Sequence, residues 1–152
     1  MVKRLKGLFM AGVVLVRDVM SKNLKTVGRD VSVKRIVTTM NKFGIGCVVV
    51  VQAGRPVGII TERDILTRVV EVCMAPEALT AKQVMTSPVI TIEQNTSMDE
   101  AARLMVKKKI KKLPVVDNDE LVGILTFTDI VTKMPTMLSI LEELLRPHHR
   151  SY

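Results

Sequence analysis

The sequence predicts an α/β (α+β) fold built from two tandem copies of one strand–helix–strand–strand–helix unit. Three observations predict it. The stretch "VGIITERDIL" from Val57 returns sixty-five residues later as "VGILTFTDIV" from Val122. The same displacement aligns Val19-Met20 with Val84-Met85, Thr26 with Thr91, Ser32 with Ser97, Met40 with Met105, Ile45 with Ile110 and Val50-Val51 with Val115-Val116, without a gap. Within each copy the apolar pattern then switches from a helical period to short β-branched runs.

Taken in order, each copy opens on a short strand, "LKTV" at 24–27 and "PVITI" at 88–92. A helix follows. In copy one Val33, Ile36, Val37, Met40 and Phe43 fall on one face; in copy two Met98, Ala101, Ala102 and Met105 do. Ser97 with Glu100 three residues on has the form of a capping box. The runs "CVVVV" at 47–51 and "LPVVD" at 113–117 are short and β-branched, as strands are. Polar turns, "QAGRP" and "DNDE", lead into the second strands "VGIIT" and "VGILT", and the closing helices start at Glu62 and Phe127. The segment "EVCMAPEALTAK" at 71–82 joins the copies, with Pro76 breaking helix. The boundaries read as an N-terminal extension 1–16, a first domain 17–75, a second domain 76–136, and a C-terminal amphipathic helix and tail 137–152 that caps a core or a dimer surface.

Composition narrows the function. The chain has 152 residues, 47% apolar but only 3% aromatic, with no Trp. Stacking platforms for bases are therefore scarce. The net charge of +8 suits anionic partners, nucleotides or nucleic acid, and equally a solvated basic surface. Two cysteines, Cys47 and Cys73, lie among apolar residues without a CxxC partner, which points to buried thiols and a cytoplasmic setting. The apolar run from Leu8 to Val16 after a basic start is similar to a signal peptide. Arg17 and Asp18 end it, no small-x-small site follows, and a bilayer needs about 20 residues, so no membrane association is expected. His148 and His149 have no cysteine or carboxylate at ligand spacing, so no metal is expected.

The doubled junction carries the chemistry. Thr61 with Asp64, and Thr126 with Asp129, each place a hydroxyl at a strand end and a carboxylate three residues on. One reading is a helix cap and a residue that suits the helix dipole. The other is a nucleotide site without catalysis: helix-start amides and hydroxyl take phosphate, and the carboxylate accepts a ribose diol. The basic run "KKKIKK" at 107–112 is likewise either a solvated helix end, a phosphate contact through Lys111 or Lys112, or a nucleic-acid surface. Neither paired carboxylates, nor a nucleophile elbow, nor a Walker lysine is present, so an enzyme is not expected.

The doubled pattern resembles a pair of CBS domains (cystathionine β-synthase domains). Its carriers are "VMSKNLKTV", "CVVVV" and "PVGIITERDIL" in copy one, and "VMTSPVITIEQNTSMDEAARLM", "KKLPVVD" and "LVGILTFTDIV" in copy two. The resemblance covers about 17–135 and implies two β-α-β-β-α units packed pseudo-symmetrically, a disc-like homodimer, and adenine nucleotides (AMP, ADP, ATP, or S-adenosylmethionine) in clefts shared by the copies. No further cofactor is implied. Carried residue by residue, one cleft has Thr61, Arg63 and Asp64 facing Val89, Ile90, Lys111, Lys112 and Pro114. The other has Thr126 and Asp129 facing Leu24, Lys25, Cys47 and Val48. The aspartates would hold ribose, the threonines and basic groups phosphate, and the aliphatics adenine. This chain departs from the family with Val49 where a proline is usual, and with Thr128 where copy one has Arg63.

The expectation is thus a cytoplasmic, non-catalytic adenine-nucleotide sensor signalling to a protein partner by conformational change. The rival is a nucleic-acid-binding or scaffold protein using the basic surface. An inosine monophosphate dehydrogenase, in which CBS pairs are inserted, needs a barrel of about 250 residues that this chain has no room for.

Overall fold

In the computed structural model residues 12–146 are described. His148 and His149, and the first part of the run from Leu8 to Val16, lie outside the described residues. In chain order the elements are α1 (Val16–Val19), β1 (Thr26–Gly28), α2 (Val33–Phe43), β2 (Cys47–Gln52), β3 (Arg55–Thr61), α3 (Glu62–Ile65) running on into a π-helical turn (Leu66–Val70), α4 (Ala81–Val84), β4 (Ile92–Glu93), α5 (Met98–Lys108), β5 (Lys112–Asp117), β6 (Glu120–Thr126), α6 (Phe127–Lys133), a 3-10 turn (Pro135–Met137) and α7 (Leu138–Leu145). Two three-stranded sheets result, β1-β2-β3 and β4-β5-β6.

The compact units cut across the order of the chain. One comprises residues 23–91 with 118–121; the other takes, of the described residues, 12–22, 92–117 and 122–146. In the first, β1 pairs parallel with β2 (Thr26 opposite Val49) and β2 antiparallel with β3 (Val48 opposite Ile60). Its core gathers Val33, Ile36 and Met40 from one face of α2, Val48, Val50 and Ile60 from the sheet, and Val69, Leu79, Ala81 and Val84 from the helices that follow. Ser32 caps α2 through its hydroxyl, and Gly44 ends it in the left-handed conformation that glycine tolerates.

The second unit repeats this. β4 pairs parallel with β5, with Ile92 opposite Val115. Ser97 and Glu100 form the capping box of α5 that the spacing predicts. Met98, Ala101, Ala102 and Met105 are buried, as are Leu113, Val115, Leu125 and Ile130. The tail forms α7, which packs against α5 and buries Leu141 and Leu144.

Each unit is completed by the segment that precedes the other copy in sequence. In the second unit Val16 N–H donates to the Thr96 carbonyl at 2.9 Å, and Met98 N–H to Val14 at 2.9 Å. Ser21 and Ile124 exchange backbone hydrogen bonds of 2.8 and 2.9 Å. The matching bonds of the first unit are Ala81 to Val31 at 2.8 Å, Val33 to Leu79 at 2.9 Å, and the Ile59–Thr86 exchange at 3.1 and 2.9 Å. Sixty-five residues separate every pair of equivalents, so the repeat in sequence is a repeat of contacts.

Several expectations need correction. Phe43 is exposed rather than on the buried face, because it lies in the last helical turn with Lys25 Nζ 4.0 Å and Lys42 Nζ 5.5 Å from its ring centroid. The first strands are shorter than predicted and lie further along, leaving Leu24, Lys25, Val89 and Ile90 ahead of them; Pro88 has no amide hydrogen to give a ladder. The segment 71–82 holds the start of α4, and the helix after Glu62 widens into a π turn closed by Glu71 N–H on the Leu66 carbonyl at 2.8 Å. Neither cysteine is in a disulfide; Cys47 is half-buried, and Cys73 is exposed because it sits in a left-handed turn outside the core.

The glycine of "VGIIT" and "VGILT" serves close approach. A Cβ on Gly58 would meet Met85 Cγ at 2.9 Å; one on Gly123 would meet Met20 Sδ at 2.7 Å and the Ser21 carbonyl oxygen at 2.9 Å. Gly123→Ala is expected to lower the unfolding free energy by about 1–3 kcal/mol, the usual cost of overfilling a packed site. Gly58→Ala should cost less, since the Met85 side chain can turn aside whereas the Ser21 carbonyl is main chain. Urea unfolding followed by circular dichroism measures both; a parent-like midpoint for Gly123→Ala would show that the approach imposes no constraint.

Candidate functional site

Thr61 ends β3 in an extended conformation and N-caps α3. Its Oγ1 accepts from Asp64 N–H at 3.3 Å, and Asp64 Oδ2 accepts in return from Thr61 N–H and Thr61 Oγ1, both at 2.8 Å. A threonine favours this position because its hydroxyl bonds locally to backbone amides that a helix start leaves without partners. The other carboxylate oxygen, Oδ1, accepts from Thr86 Oγ1 at 3.3 Å and lies 3.4 Å from the Arg68 guanidinium. Asp64 is the one buried charged residue among the described residues.

The second junction has the same geometry. Asp129 Oδ2 accepts from Thr126 N–H at 3.0 Å and Oγ1 at 2.7 Å, and Asp129 N–H donates to Thr126 Oγ1 at 3.1 Å. Oδ1 accepts from Lys133 Nζ at 3.0 Å. The first helical amide of each closing helix is satisfied by the loop before the central strand: Glu62 N–H by Gly46 at 3.2 Å, Phe127 N–H by Lys111 at 2.8 Å.

The remaining predicted residues distribute as follows. With Thr61 and Asp64, the first unit holds exposed Arg63 and half-buried Leu24, Lys25, Cys47, Val89 and Ile90. Val48 is fully buried in that unit's core, on the face of β2 opposite to Cys47. With Thr126 and Asp129, the second unit holds exposed Lys111, half-buried Lys112 and buried Pro114. Lys111 Nζ lies 5.6 Å from the Phe127 ring centroid, next to the junction of its own copy. Three residues that the sequence reading passed over complete the arrangement: Arg68, Lys133 and Thr86. The signal for the first two was legible, since an acid followed four residues later by a base places both on one helix face. Among the described residues no group of three or more His, Cys, Asp and Glu is placed to hold a metal, and no helix is long and apolar enough to cross a membrane.

Chemically the two junctions offer paired hydroxyl and carboxylate acceptors with a cation at hand, without a nucleophile–base pair. They can hold a polyol by its hydroxyls and an anion by the nearby lysines and arginines.

The sequence model of the CBS domain matches this chain twice, at residues 16–71 and 81–136. An uncharacterized protein of Methanopyrus kandleri is 39% identical over 134 residues, covering 87% of this chain and 66% of its own length. The chain thus spans just under two thirds of that relative. Among solved structures, a conserved CBS domain protein of unknown function from Thermoplasma acidophilum superposes with a TM-score of 0.79 at 25% identity, over 88% of this chain and 75% of its own. A CBS-domain protein of Burkholderia ambifaria assigned to signal transduction gives 0.70 at 30% identity, over 76% and 85%. With both copies matched, and with the two-sheet fold shared, this chain belongs to the CBS-domain family.

Proposed function

We propose that the protein is a regulatory adenine-nucleotide-binding module without catalysis, which signals to a protein partner through a ligand-dependent conformational change. The observation that carries this reading is the doubled threonine–aspartate junction, built alike in both copies of a CBS pair. Asp64 and Asp129 accept the ribose hydroxyls. Thr61 and Thr126 with Arg63, Lys25, Lys111 and Lys112 receive phosphate, and the aliphatics Leu24, Val89 and Ile90 with Cys47 and Pro114 line the adenine, Val48 being turned into the core instead. AMP, ADP and ATP are the expected ligands, with S-adenosylmethionine as a further candidate, in a cytoplasmic protein.

Titration calorimetry with these four ligands tests it. Asp64→Asn and Asp129→Asn each remove charge from a ribose acceptor and keep one oxygen for the cap, but set an amide against donors the carboxylate now satisfies, so folding should lose about 1–3 kcal/mol. Ligand affinity should fall at least about tenfold, since charge-assisted hydrogen bonds are each worth about 1.5–3 kcal/mol and a decade is 1.4. Parent-like affinity in both variants, with normal folding, would reduce the junctions to helix starts.

The module is also proposed to work as a homodimer. Leu66 and Val70, one turn apart on the π-helical segment, are 60% and 61% exposed, and Val72 and Met74 continue the apolar stretch. A second copy would cover them, as soluble oligomers usually pair symmetric patches. The parent should give twice the chain mass by light scattering at micromolar concentration, and Leu66→Glu with Val70→Glu should give one chain mass. A monomeric parent sinks the dimer.

A second reading rests on the basic surface. Lys107, Lys108 and Lys109 are exposed without an acidic partner among the described residues, and Phe43 lies open between two lysines. A nucleic-acid-binding or scaffold protein would be retained on DNA in a salt-dependent way that ATP leaves unchanged.

A further inference from the structure

Each aspartate gives its second oxygen to a cation that helix capping does not require. Arg68 stands four residues past Asp64, and besides its contact with Oδ1 it donates to the Val84 carbonyl at 2.6 Å and to Thr86 Oγ1 at 3.1 Å. Thr86 Oγ1 in turn donates to Asp64 Oδ1. Val84 closes α4, so its carbonyl is among those that a helix end leaves without an intrahelical partner. Lys133 stands four residues past Asp129, and besides Oδ1 it donates to the Val19 carbonyl at 2.7 Å; Val19 closes α1. Two different cations, sixty-five residues apart, join the same two acceptors. An ordinary i,i+4 surface pair needs no third partner. The cation also reaches, in both copies, the segment whose bridge to the outer strand lies beside the close-packed glycine: 81–86 against β3 in one unit, 16–21 against β6 in the other.

We propose that Arg68 and Lys133 are positioning residues that couple ligand occupancy of each junction to release of the segment it latches; this rests on the nucleotide reading above. Without ligand the cation ties the aspartate Oδ1 to the last carbonyl of the short helix. A ribose diol donating to Oδ1 competes for the same lone pairs. The cation's carboxylate leg weakens, and α4 with the Thr86–Ile59 bridge loosens in one unit, α1 with the Ser21–Ile124 bridge in the other. A partner that binds the loosened segment reads the ligand, because its affinity differs between the two states.

Hydrogen exchange by mass spectrometry on the full chain, with and without saturating AMP, tests this, with titration calorimetry on the same samples. In the parent, AMP should speed amide exchange in 81–86 and 16–21 at least about threefold, as local opening becomes cheaper. Arg68→Met should exchange fast in 81–86 without ligand and respond no further, while 16–21 still responds; Lys133→Met should do the converse. Arg68→Lys, the cation that the second copy uses, should restore both slow exchange and the response, which a space-filling role would not require. If Arg68→Met fails to fold, the parent and Arg68→Lys still decide. The inference is overturned if AMP binds by calorimetry yet leaves both segments unchanged, or if Arg68→Met keeps the parent's response. If AMP, ADP and ATP all give no heat, the functional reading falls and takes this inference with it, an outcome that calorimetry alone tells apart.

Discussion

The fold hangs on a carboxylate used twice over. Asp64 and Asp129 each bind the end of a strand, the start of a helix, and a cation that reaches the end of a separate short helix. Removing such a buried acceptor leaves several donors without a partner, which costs more than the hydrogen bonds themselves contribute. The glycine six residues before each aspartate follows from the same constraint. The segment carrying Met85, or Met20, must lie close enough for the cation to reach its carbonyl, and only a residue without a side chain leaves that space.

The strongly patterned parts of the fold were legible in the sequence. The helical period of Val33, Ile36 and Met40 and of Met98, Ala101 and Met105 placed α2 and α5, and the β-branched runs placed β2 and β5, because apolar periodicity reports burial directly. The capping boxes at Ser97 and at both threonines could be read from spacing alone. Short elements could not be. Strands β1 and β4 have too few residues to show an alternation, and α1 and α4 are single turns whose stability comes from the sheet they cover. The repeat located the two copies, yet sequence similarity does not say which sheet a segment covers. Residues 16–21 and 80–86 therefore revealed their exchanged membership only in the contacts.

The same limit applies to the site. Thr61, Asp64, Thr126 and Asp129 were identifiable from the doubling, whereas Arg68 and Lys133 gain meaning only from Val84 and Val19, which are distant in sequence. The copies also differ where identical duty would keep them alike. Phe127 with Lys111 stands where copy one has Glu62 with Gly46, and Pro114 where it has Val49. The doubled frame is constant, while the residues around it vary and give the two junctions different charge and shape.

The position of the ribose in a crystal grown with AMP tests the central claim most directly. The account predicts ribose hydroxyls at hydrogen-bond distance, about 2.5–3.0 Å, from Asp64 Oδ1 or Asp129 Oδ1, with the Thr61 or Thr126 cap intact and the neighbouring cation moved away from the carboxylate. AMP bound elsewhere, with both carboxylates still holding Arg68 and Lys133, would contradict it.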